Sequence, residues 1–190
     1  YWQAPYGKLL WNDSVFSLVE KLGMGWDEFV GSGENDGFIQ QLSRWIGWLY
    51  VACAILSLSV RKSSRWQMLA LLGGCGLLAI LSFAKFLAAN QQLPMFVEHG
   101  GQMLMPAILV TALAKGVRHR TTVILTIVAI ITTFAGHGAY ALGIYWPTPA
   151  HFYGMTRVIL GIDQDSAKTF LLIVGILDFV ICVGIFLPWT

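Results

Sequence analysis

The chain has 190 residues, 56% hydrophobic and 12% charged, with a formal net charge of +2 and a mean hydropathy of +0.66. A soluble domain carries about 25% charged residues, so half the expected charge is missing, and charge-free windows approach the roughly 20 apolar residues that cross a hydrocarbon core. The small net charge and the lack of a basic stripe interleaved with aromatics exclude a nucleic-acid partner. The composition therefore predicts an all-α membrane protein, a bundle of about five transmembrane helices beneath an N-terminal interfacial helical cap.

The first 38 residues are too polar to span. Asp13 and Ser14 can cap a short helix over SVFSLVEKLG, closed by Gly23, with Val15, Phe16, Leu18, Val19 and Leu22 on its apolar side. Trp2, Trp11 and Trp26 suit the headgroup layer, where an amphipathic ring keeps its polar edge wet, and Trp45, Trp48 and Trp146 belong to the same layer. Residues 1–38 are thus expected to lie over the outer ends of a bundle formed by 39–190, with spans near 39–60, 67–88, 101–115, 121–144 and 168–189. The third is short and contains Pro106. The 145–167 segment, with Pro147, Pro149, Asp163 and Asp165, is expected to be an ordered lid whose acids are solvated.

Arg61, Lys62 and Arg65 follow the first span, and Lys115, Arg118 and Arg120 follow the third, without an acid in either link. Short, purely basic loops mark the cytoplasmic face, which puts the N-terminus outside and the C-terminus in the cytoplasm, in a bacterial inner membrane. Cys53, Cys75 and Cys182 each lie in an apolar run with no CxxC or CxxCH pattern, as small hydrophobes in helix packing do. Gly73, Gly74 and Gly76, and Gly136, Gly138 and Gly143, permit tight helix contacts.

Ionisable groups inside a membrane are costly and therefore informative. His137 lies about seven residues below the outer end of the fourth span, roughly 10 Å deep, and Asp178 about ten residues from the outer end of the fifth, roughly 15 Å deep. Lys85 is near the outer end of the second span, where it can snorkel. Glu98, His99 and Gln102 share a helical face at the start of the third span, and His151 follows the fourth, so three of the four histidines converge on the outer leaflet. His119, between Arg118 and Arg120, belongs to the inner charge band.

His137 is either a histidine bonded across closely packed helices or a ligand and proton carrier in a pocket opened by its flanking glycines. Asp178 is either a neutral carboxyl bonded to a neighbouring helix or part of a proton relay. Glu98 and His99 are expected to form an interfacial ion pair with Arg157 before any catalytic role. A bis-imidazole haem needs two histidines at one depth on facing helices, which suits His99 and His137 poorly, while pairs with His151 remain open. No HExxH motif or dense Cys/His cluster supports a zinc site, so His137 and His151 are the only metal-ligand candidates.

The segments LLAILSFAKFL, EHGGQMLMPAILVTAL and LDFVICVGIFLP resemble DoxX-like small multi-pass membrane proteins. That resemblance implies a compact helical bundle, in some members linked to quinone-dependent oxidation of sulfur compounds. Three functions follow as expectations. The first is a redox-associated subunit for electron transfer, holding a quinone or a haem- or porphyrin-like ligand in an outer-leaflet pocket. The second is an accessory subunit that docks on other membrane subunits or self-associates within the lipid bilayer. The third is a small proton-coupled transporter using Asp178 and His137, against which no inverted repeat is detectable. No nucleophile motif, phosphate loop or dinucleotide fingerprint supports a soluble-substrate enzyme.

Overall fold

The computed structural model describes residues 4–11, 13–32, 37–144 and 147–187. Trp2 and Trp146, two of the expected headgroup aromatics, lie outside the described residues. Among those residues the chain is all-helical: α1 (Ala4–Leu10), α2 (Asp13–Glu20), α3 (Trp26–Val30), α4 (Phe38–Ser59), α5 (Arg65–Ala88), α6 (Leu93–Val97), α7 (Gly100–Lys115), α8 (Arg120–Leu142), α9 (Ala150–Leu160) and α10 (Gln164–Gly184). Four of these, α4, α5, α8 and α10, are long and apolar enough to cross a membrane. The chain is consistent with an integral, multi-pass membrane protein on that ground.

The stretch expected as the third span forms the helix α7, but with 16 residues it reaches only about 24 Å at 1.5 Å per residue and is not one of the four helices long enough to cross. The five-residue α6 precedes it, separated by a break at Glu98–His99. Tyr140 near the outer end of α8 donates to Gln92 Oε1 (2.9 Å), and Gly101 N–H, at the start of α7, donates to Thr133 Oγ1 seven residues lower on α8 (2.9 Å). At the other end Thr122 donates to the Gly116 carbonyl (3.0 Å). α6 and α7 thus lie in succession against α8 as one broken helix. Pro94 starts it, and the left-handed residues Asn90 (φ 53°) and Gln91 (φ 60°) turn the chain into it from α5.

Antiparallel contacts order the bundle. The Cys75 thiol of α5 donates to the Met103 carbonyl of α7 (2.7 Å), and the Cys182 thiol of α10 to the Ile131 carbonyl of α8 (3.7 Å). The two basic links, α4–α5 and α7–α8, consequently share one end. The opposite end carries α2 and α3, which bury Val19 and Phe29 against Ile39 at the start of α4. α1 behaves differently from the rest of the expected cap. Its Tyr6 is 3% exposed and donates to the Tyr50 hydroxyl (2.6 Å), which donates in turn to the Leu77 carbonyl (2.9 Å). Tyr50 stands about 18 Å along α4 at the helical rise, so α1 is inserted along α4 and α5 and does not lie over their ends.

The 145–167 segment is not only loop, because α9 occupies 150–160 and is entered through Pro149. α10 then starts at Gln164, four residues earlier than the expected 168, because Asp163 caps it by accepting from the Asp165 and Ser166 amides (2.9 Å each). Its outer turns extend past α8, and Gly175 rather than the first turn is level with Ala141 and Leu142.

A histidine–aspartate pair at a broken helix

That register offset decides the site. Counted from the expected helix ends, His137 and Asp178 differ in depth. In the structure His137 Nδ1 lies 2.7 Å from Asp178 Oδ2. The crossing is close because Gly138 has no side chain: a Cβ there would meet Asp178 Cβ at 3.0 Å and the Gly175 carbonyl at 3.1 Å. Gly136 plays the matching part on the other side, where a Cβ would run into the backbone of Glu98. The two glycines flanking His137 therefore admit α10 and the α6–α7 break to either side of the imidazole.

Asp178 is buried, with its side chain 8% exposed, whereas the His137 side chain is 44% exposed. A carboxylate only accepts, so the bond puts the proton on Nδ1 and leaves Nε2 as the free ring nitrogen. This is the arrangement in which a carboxylate fixes the tautomer and orientation of an imidazole that must meet something else.

The other histidine at the break is already committed. Lys85 Nζ donates to His99 Nε2 (2.7 Å), and His99 Nδ1–H donates to the Met95 carbonyl (2.7 Å). Lysine has no acceptor and a carbonyl no donor, so this ring is neutral with its proton on Nδ1. Lys85 stands where it can snorkel, and in the structure it turns to His99, which offers it a buried acceptor. Glu98 Oε1 lies 3.6 Å from Nδ1 of this neutral ring, and the expected ion pair with Arg157 is not found among the described residues.

Glu98, His99, Gln102, His137 and Asp178, five of the six expected site residues, line one cleft of about 420 Å³ together with Thr133, Phe134 and Phe152. The sixth, His151, does not line it. It sits on the exposed face of α9 with its ring edge-on to Phe152 (4.8 Å). Phe152 was missed from the sequence and is central. Its ring lies 5.9 Å from His137 and 5.7 Å from Tyr140. The available signal was Pro149 ahead of an amphipathic AHFYGMTRVIL, a helix start inside the 145–167 segment.

Beyond His137 and Phe152 a second, apolar groove of about 280 Å³ runs between α9 and α10, lined also by Met155, Thr156, Ile159, Leu160, Phe170 and Leu171. Among the described residues no three His, Cys, Asp or Glu side chains converge as a metal site. Comparison with known proteins gave no match: no family model, curated protein or solved structure is significantly similar to this chain.

Proposed function

We propose that this chain is a small redox-associated membrane subunit that holds a quinone-type ring in the cleft beside His137. The observation that carries the reading is the His137–Asp178 pair standing where a polar cleft meets an apolar groove. A tailed quinone has the same two-part chemistry, a ring with oxygen acceptors and an isoprenoid chain. Nε2 of His137 is suited to accept from a ring hydroxyl, or when protonated to donate to a ring carbonyl, with Asp178 supporting the charged imidazole. Gln102 and Glu98 supply further polar contacts, and the groove takes the chain. The resemblance to DoxX-like proteins points the same way.

A porphyrin fits these residues less well. His99 has both nitrogens engaged, so only His137 and the outlying His151 could serve as axial ligands. In the proposed topology α6 and α7 together make the third of five crossings. Irregular backbone at membrane depth is tolerated where it lines a cavity, as at Glu98–His99. The basic end is cytoplasmic, and the cleft opens in the outer half of a bacterial inner membrane.

A second reading, an accessory subunit that docks on larger membrane partners or on itself, is favoured by α4. Its outer face presents Trp45, Trp48, Leu49, Ile55 and Leu58, all exposed, and lipid or a neighbouring subunit must cover it.

Titration of the detergent-solubilised protein with benzoquinones and naphthoquinones, with and without an isoprenoid tail, tests the first reading. Saturable binding is expected that weakens about tenfold in His137→Ala, the loss of one charge-assisted hydrogen bond. If no quinone of either class binds above a detergent blank, the redox reading fails and the accessory one stands.

A further inference from the structure

The basic link between α4 and α5 borders an open, solvent-facing depression of about 700 Å³ at the end of the bundle opposite the cleft, lined by Arg61, Ser63, Ser64, Arg65 and Gln67 beside Trp66. The lining is rich in donors, two guanidinium groups with the Ser63 and Ser64 hydroxyls, while the Ser59 hydroxyl beside them is spent on the Ile55 and Leu56 carbonyls. Gln67 Oε1 is taken by the Arg61 backbone N–H (3.0 Å), which leaves its amide NH2. Ser64 begins α5 without turning its hydroxyl back onto the helix. Among the described residues the acids find their partners elsewhere, Glu98 beside His99, Asp178 on His137 and Asp165 on Lys168, and no acid occurs between residues 37 and 97. Two guanidinium groups and several hydroxyl and amide donors thus face one depression without a counter-charge.

Immediately beyond it the walls are apolar. Ile55 and Leu58 of α4 and Leu69 of α5 are exposed, Leu58 to 90%, and Trp66 stands at the boundary. A free anion would use only the donors, whereas a ligand with an anionic head and hydrocarbon tails uses both surfaces. We infer that the α4–α5 link is a binding site for an anionic phospholipid, its phosphate held by Arg61, Arg65 and the Ser63 and Ser64 hydroxyls and its acyl chains lying along Leu58 and Leu69. Arginine forks match phosphate oxygens geometrically, and a tryptophan at headgroup level is the usual neighbour of such a site.

The test takes the full chain from vesicles of equal phosphatidylglycerol and phosphatidylcholine into mild detergent and counts retained lipids by native mass spectrometry. Phosphatidylglycerol is expected to be retained in preference, and the preference to fall about fivefold for each of Arg61→Gln and Arg65→Gln, one basic residue beside an anionic lipid surface contributing about that factor. Ser63→Ala/Ser64→Ala, which keeps the charge, should lose a smaller part. Arg118→Gln/Arg120→Gln on the neighbouring basic link should leave the preference unchanged. Equal retention of the two lipids, or an equal loss from the Arg118/Arg120 variant, overturns a specific site. Full displacement of the lipid by millimolar inorganic phosphate would reassign the donors to a soluble anion and overturn the lipid assignment.

Discussion

The His137–Asp178 hydrogen bond makes an asymmetric prediction about stability. Deleting one partner of a hydrogen bond leaves the other unsatisfied, at a cost of about 1–3 kcal/mol if it stays buried. Interhelical hydrogen bonds in membranes average only about 0.6 kcal/mol when the survivor finds another partner. Here the partners differ: the Asp178 side chain is 8% exposed and His137 44%. Asp178→Leu leaves the more open imidazole, which can rehydrate through the cleft, so the lower figure applies. His137→Leu strands a carboxyl between α8 and α10, so the higher one does. At about 2–4 °C per kcal/mol for a chain of this size, Asp178→Leu should lower Tm by about 1–2 °C and His137→Leu by about 2–12 °C. The double variant removes both polar groups and should be more stable than His137→Leu alone, because an apolar pair replaces a stranded carboxyl. Thermal unfolding in detergent by circular dichroism measures all three. Were Asp178→Leu the more damaging single change, or the two losses simply additive in the double, the assigned burial and pairing would be refuted.

Quinone affinity should follow a different order, with Asp178→Asn weakening it through loss of the charge behind His137 and having no further effect once His137 is alanine, as a double-mutant cycle by equilibrium titration would reveal. Gly136→Ala places a methyl against the Glu98 backbone, which no rotamer can relieve; overpacking of this kind costs about 1–3 kcal/mol and should appear as a lowered Tm with weakened quinone binding. Tyr6→Phe removes the hydrogen bond that seats α1 on Tyr50, and hydrogen exchange should register loss of protection in α1 while α8 and α10 keep theirs. Asp163 is exposed, and its hydrogen bonds from Ser166, backbone and side chain, hold its carboxyl below the ordinary 3.8. A depressed folded value means its contribution is present above pH 3.8 and is lost as pH falls through the folded value. Protection factors of the first turn of α10 should therefore drop in that acidic window, and Asp163→Ala should lack the transition, being already frayed at neutral pH.

Much of the candidate site was legible because the cost of ionisable groups in hydrocarbon makes each one conspicuous. Glu98, His99, His137 and Asp178 stand out from apolar text by that physics alone, Gln102 joins them by helical spacing from Glu98 and His99, and the flanking glycines of His137 announce close approach. Phe152 was not legible, since an aromatic residue in a polar segment has many uses. The role of Lys85 was equally hidden: snorkelling and bonding inward look alike until the position of His99 is known.

The sequence by itself determined the helical, membrane-compatible architecture, four of the long helices to within a few residues at most of their ends, and the chemistry available at the end of the bundle opposite the basic links. Hydropathy and capping are local properties, and they can be read locally. Three matters were decided only by tertiary structure: the insertion of α1 along α4 and α5, the division of the third helix into α6 and α7, and the offset of α10 that brings Asp178 level with His137. Each depends on where one helix stops relative to another, and relative register arises from packing between elements, which no single segment encodes.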